Sequence, residues 1–124
     1  MRVRRANNTA ASRTGLVANN VIGAFTFLGF DNTSAYLTGA QAQATATETW
    51  STTASGTKFQ IFVTPNTTTG VVAGLTIDQD TGLFTNGATG SSKGSGTINT
   101  TGYYLNGQLM QAYPGDSPLL WLSF

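Results

Sequence analysis

Five side chains in this 124-residue sequence can carry a carboxylate: Asp31, Glu48, Asp78, Asp80 and Asp116. The chain contains no histidine and no cysteine. Glycoside hydrolysis by a carboxylate pair needs two acids about 5 to 9.5 Å apart across a groove, and acids that fall mostly in turn contexts form a poor candidate set. Hydroxyls are plentiful, yet a nucleophilic hydroxyl needs a base beside it and there is no imidazole to act as one. Disulfides and thiolate metal sites are ruled out with cysteine. Asp78 and Asp80, followed by Gly82, have the short spacing that opens a calcium loop. No glutamate stands where such a loop would be completed, so a hairpin turn is the expected role. Glu48 lies in step with an alanine row and is expected to face inward, where it needs a partner such as Lys58 or an arginine of another chain. The expectation is a non-enzyme with no catalytic residue, no cofactor and no metal.

Recognition chemistry has better candidates. Tyr103, Tyr104, Tyr113 and Trp121 can present ring faces to the apolar C–H faces of sugars, while the amides of Asn106, Gln108 and Gln111 bond to hydroxyls. Burial of those rings in a core is the competing and favoured reading. At the other end Arg2, Arg4 and Arg5, with Arg13 further on, make a short basic arm. The arm lacks interleaved aromatics and no nucleic-acid motif follows it. A docking role toward another protein is expected, with no nucleic-acid partner.

These residues need elements to hold them. Charged residues are 9% of the chain against about 25% in ordinary soluble domains, so Thr, Ser, Asn and Gln must supply the polar surface. Little charge is left to keep sheet edges apart, and obligate oligomerisation would remove that hazard. No apolar run approaches the roughly 18 residues of a membrane span, and the N-terminus lacks the apolar core of an export signal, so a soluble chain outside the conventional export route is expected. Residues 1–20 read as a basic arm and residues 21–87 as the main β-structured body. Residues 88–96 read as a flexible Gly/Ser connector, and residues 97–124 as a terminal hairpin with an apolar tail.

Within the body, residues 21–30 alternate with period two and carry apolar side chains on both faces: Phe25 and Phe27 on one, Ile22, Ala24, Leu28 and Phe30 on the other. A turn follows at Asp31. Residues 39–51 have helix-favouring composition but strand alternation, and the row of Ala42, Ala44 and Ala46, running on through Glu48 to Trp50, decides for a strand. Residues 58–64 put Phe59, Ile61 and Val63 on one face, with Phe62 interrupting the polar one. Residues 71–77 put Val71, Ala73, Leu75 and Ile77 together, and the loop at 78–82 returns the chain through Leu83 and Phe84. Strands at 97–105 and 108–112 flank Asn106-Gly107, the pair best suited to a two-residue type I′ turn. The fold class is all-β: short antiparallel strands and hairpins, in an intertwined trimeric fibre or a sandwich-like spike module.

The order of these pieces resembles a β-structured repeat of bacteriophage tail fibres and tailspikes, of the type found upstream of endosialidase-type intramolecular chaperone domains. The resembling segments are RANNTAASRTGLVANNVIGAFTFLGFDNTSAY, TGAQAQATATETWSTTASGTKFQIFVTPNTTT, LTIDQDTGLF and GATGSSKGSGTINTTGYYLNG, spanning residues 5–107. The chaperone domain itself is absent from the sequence. The resemblance implies an elongated homotrimer attached to a virion. On this reading the chain is expected in the tail, with its N-terminal arm attached to other virion proteins and one end contributing to attachment to a host cell-surface glycan. A monomeric carbohydrate-binding sandwich and a fragment of a polysaccharide-degrading tailspike are the alternatives.

Overall fold

The computed structural model describes residues 4–5 and 13–110. Every regular element among the described residues is a strand: β1 Val21–Phe30, β2 Tyr36–Ala46, β3 Thr57–Val63, β4 Val72–Ile77, β5 Leu83–Thr85, β6 Ile98–Asn99, β7 Tyr103–Leu105 and β8 Gln108–Met110. Strands β1 to β6 lie side by side in chain order in one sheet, and β7 with β8 forms a separate two-stranded sheet. Pairing is antiparallel from β1 to β5, and β6 joins parallel to β5. The all-β expectation holds, as a single layer rather than two facing sheets.

Alternation divides the large sheet into two unlike faces. Phe25 and Phe27 of β1 pair with Ala42 and Ala40 of β2, which pair in turn with Ile61 and Val63 of β3. Phe59, Ile61 and Val63 then oppose Ile77, Leu75 and Val72 of β4. This face is apolar from β1 to β5, with the alanines forming a low trough between the phenylalanines of β1 and the larger side chains of β3. On the opposite face Gln41, Gln43 and Thr45 run along β2, and Gln60 and Thr76 sit across β3 and β4. Their side chains bond one another: Gln41 to Gln43, Gln43 Nε2 to Thr45 Oγ1 at 2.9 Å, and Gln60 Nε2 to Thr76 Oγ1 at 3.1 Å. Such bonds satisfy the amides and stiffen the sheet.

Bulges alter the expected faces. On β4 the register steps from Leu75 opposite Ile61 to Ala73 opposite Phe62, leaving Gly74 unpaired. Val72 therefore joins the apolar face and Ala73 leaves it, whereas strict alternation places Val71 and Ala73 there. The strand at 39–51 is confirmed in its first part but ends at Ala46. Thr47 and Glu48 bend away, so the alanine row does not reach Trp50. Glu48 is exposed, and its Oε1 accepts the backbone N–H of Gly56 at 2.5 Å. The inward charge and its Lys58 partner are thereby corrected: a loop amide takes the carboxylate. The strand expected over 97–105 is also broken, into β6 and β7, with residues 100–102 between them.

Closed packing is confined to one corner. Asn19 N–H donates to Ala46 O at 2.8 Å and Ala46 N–H to Asn20 O at 2.9 Å, while Trp50 N–H donates to Leu16 O at 2.8 Å. Leu16 and Ala46 are the buried apolar residues among those described, at 2% and 0% exposure. The segment 88–96, expected to be a flexible connector, is held by hydrogen bonds. Ser92 Oγ donates to the two carboxylate oxygens of Asp80 at 2.7 and 2.9 Å, and Asn99 Nδ2 donates to Thr89 O and Ser91 O at 3.0 and 2.6 Å. Leu83 N–H donates to Thr97 O at 2.9 Å, which starts the parallel pairing of β5 with β6.

Gly82 sits where this loop crosses the β4–β5 turn. Its N–H donates to Asp80 Oδ1 at 3.0 Å, and a Cβ there would fall 2.6 Å from Gly94 O and collide with Ser92 Oγ. Backbone on one side cannot give way. Gly82→Ala is expected to lower stability by about 1–3 kcal/mol, read as a lower urea midpoint; an unchanged midpoint would show that the crossing is not packed as described.

Candidate assembly and attachment surfaces

The apolar face is the largest chemical feature of the molecule, and the described chain leaves it bare. Phe25 and Phe27 are 59% and 58% exposed, and Phe59, Ile61, Val63, Val72 and Ile77 are also exposed. Soluble monomers rarely show contiguous apolar patches larger than a few hundred Å², and here exposed apolar side chains of β1, β3 and β4 flank the alanines of β2 on one face. No described strand lies outside β1, whose ten residues contain neither charge nor proline. Natural sheet edges are usually guarded by such residues.

The aromatic candidates lie on the β7–β8 hairpin, built as expected on Asn106 and Gly107, with φ of 49° and 79°. Those left-handed angles make the type I′ turn. Tyr103 opposes Met110, Tyr104 opposes Leu109 and Leu105 opposes Gln108. Neighbours along a strand point to opposite faces, so Tyr103 shares a face with Gln108 and Met110 while Tyr104 looks the other way beside Leu109. One platform cannot hold both tyrosines of the same hairpin. Both are 63% exposed, and the hairpin contacts none of the other strands. Two strands of three residues are marginal alone in water. Tyr113 and Trp121 lie outside the described residues.

Arg4 and Arg5 are exposed, and Arg5 reaches back so that its Nη1 donates to Val21 O at the start of β1. Arg5 is thus tied to this end of β1. Arg2 lies outside the described residues.

The carboxylates serve local structure. Asp31 Oδ1 accepts the backbone N–H groups of Ala35, Ser34 and Thr33 at 3.0, 2.7 and 2.9 Å, and Asp31 N–H donates to Ala35 O at 2.8 Å. Those donors, Ala35 first, hold its carboxyl far below the ordinary carboxylate range. The Ser92 hydroxyl and then the Gly82 N–H lower that of Asp80. Asp78 Oδ1 accepts the N–H of Gln79 at 3.0 Å. Each acid of the D-x-D pair is used by its own loop, and no group of three metal-ligating side chains occurs among the described residues.

In comparison with known proteins, no protein-family model and no curated protein matches the chain. Among solved structures it is similar to the carboxy-terminal domain of the bacteriophage T5 L-shaped tail fibre, at 21% identity and a TM-score of 0.57. The likeness covers 72% of this chain and 34% of that one, so the chain spans about a third of the structure it matches. At this identity the likeness is one of fold: the chain has a tail-fibre-like β-fold.

Both lowered acids contribute stability that is present above the unfolded aspartate value of about 3.9 and is lost as pH falls toward their folded values. Melting temperature is expected to be flat from neutral pH down to about pH 5 and to fall from about pH 4 downward. Asp31→Asn with Asp80→Asn retains acceptor oxygens and should flatten that acid limb; an equally steep limb in the double variant would place the titrating groups elsewhere.

Proposed function

We propose that the chain is a structural subunit of a bacteriophage tail fibre or spike, assembled as a homotrimer and located in the virion tail. The observation that carries the reading is the bare apolar face on a tail-fibre-like fold. Burying a Phe, Ile, Leu or Val side chain is worth about 1.5–3 kcal/mol, and the six-stranded sheet forgoes this across most of one side. Three copies set around an axis with these faces inward would cover them and leave the glutamine and threonine face outward. The alanine trough of β2 lets a neighbouring ridge approach closely.

Within that assembly the basic arm, Arg2, Arg4 and Arg5, docks onto other virion proteins. The β7–β8 hairpin faces the host, with a surface glycan as its ligand. Its opposed tyrosines make this second role separable: Tyr103→Ala, on the face shared with Gln108, should reduce phage or fibre adsorption to host cells, whereas Tyr104→Ala should leave it unchanged. Adsorption undiminished in both variants would remove the hairpin as the attachment point.

Light scattering of the purified chain is expected to give about 39 kDa, three times the 12.9 kDa of one chain. Ile61→Asp sharpens the test. In an isolated sheet the change at this exposed position costs on the order of 1 kcal/mol in strand propensity and cross-strand pairing, while a carboxylate enclosed between subunits costs on the order of several kcal/mol. Dissociation of the variant to 12.9 kDa supports inward faces; a wild-type monomer, or a variant as trimeric as the parent, overturns them.

A further inference from the structure

The β1–β2 hairpin outruns the strand beside it. The last pair between β2 and β3 is Ala40 with Val63, after which Thr64 N–H donates to Gly39 O at 2.9 Å and Thr64 Oγ1 to Thr38 O at 2.6 Å. The pairs Gly29 with Leu37 and Phe30 with Tyr36 continue past this point. The tip, closed by the turn at Asp31, therefore stands clear of β3 and has no described strand on either edge.

The tip is apolar on both sides, and a bulge decides which residues of β2 lie on each. The register steps from Phe27 opposite Ala40 to Leu28 opposite Thr38, leaving Gly39 unpaired. Leu37 then falls on the face of Phe25 and Phe27, while Leu28, Phe30 and Tyr36 occupy the reverse face. Phe30 and Tyr36 are 61% and 71% exposed, with rings edge to face at 5.1 Å. Inward packing of the main apolar face leaves this reverse cluster uncovered. The tip is also rigid before it meets anything, because Asp31 binds three backbone amides of its own turn, so docking costs little further ordering.

We infer that the tip is a clasp, inserted against the neighbouring copy of this chain so that both of its faces and its open backbone edges are covered. This rests on the trimeric reading above. Two apolar faces and a row of unpaired N–H and C=O groups require a protein surface that includes strand edges; a sugar ring would cover one aromatic face and leave the rest open. The surface must be nearly uncharged, since Asp31 is the sole charged residue across residues 14–47. A second copy offers apolar, uncharged strands that are themselves uncovered.

The experiment uses the full chain with p-benzoylphenylalanine in place of Tyr36, irradiated after its mass has been measured by light scattering. Covalent dimers and trimers on a denaturing gel are expected. As a second readout, Tyr36→Cys gives the chain its one thiol, which maleimide should modify at least about tenfold more slowly in the assembly than after denaturation. A trimer that forms no cross-link, or whose thiol reacts at the denatured rate, overturns the clasp and leaves the fibre reading intact. A monomer overturns both.

Discussion

The constraint on which the molecule turns is that one sheet has one layer. A β-sheet with an apolar face must bury that face against something, and here helices are absent among the described residues and the second sheet is a hairpin of two three-residue strands. Two buried apolar residues close a corner, Leu16 and Ala46 at the end of β2, and the other large apolar side chains among the described residues stay half-buried or exposed. The usual ledger of a small domain, in which hydrophobic burial offsets chain entropy, is therefore incomplete for a solitary copy. On the trimeric reading proposed above, assembly belongs to the folding problem of this chain instead of being an event that follows it.

Given that constraint, the unusual composition becomes intelligible. Surfaces that meet other copies gain nothing from charge, because a buried unpaired charge costs more than an amide or hydroxyl that finds a partner. Thr, Ser, Asn and Gln find partners within the fold, as in the line from Gln41 through Gln43 to Thr45 and in the bonds from Ser92 to Asp80. The same substitution of neutral polar groups for charge leaves the strand edges unguarded, which is hazardous for a monomer and harmless once a neighbour occupies them.

Strand identity was legible wherever period-two alternation ran without interruption. β1 has the expected bounds, β3 shows Phe62 on its polar face as read, and Asn106-Gly107 turns where its chemistry demands. Legibility failed at three kinds of place. Alternation continued on paper through Glu48 to Trp50, but Ser51 to Gly56 offers loop amides that draw the glutamate carboxylate out of the strand. The Gly/Ser-rich connector looked free because composition does not reveal that Asp80 and Asn99 reach across to hold it. The aromatic candidates looked like one cluster because proximity in sequence says nothing of the alternate faces that Tyr103 and Tyr104 occupy.

The bulges were the least legible and the most consequential. A strand glycine can mark a bulge or merely lack a side chain, and the sequence around Gly39 and Gly74 does not separate the two. Gly74 places Val72 opposite Val63, so the bare face gains a branched apolar side chain where alternation would put an alanine. Gly39 has the larger effect, because it reverses every side chain of β2 beyond it. Without that extra residue Tyr36 would share the face of Ala40 and Leu37 would join Leu28 and Phe30 on the reverse face; with it Tyr36 is the residue beside Phe30. With it, no single flat packing can bury both Phe27 and Tyr36. A neighbour that covers the sheet face cannot also cover the tip's reverse side from the same direction, so the surfaces around this hairpin must come from more than one side, which is the geometry that winding copies around a common axis supplies.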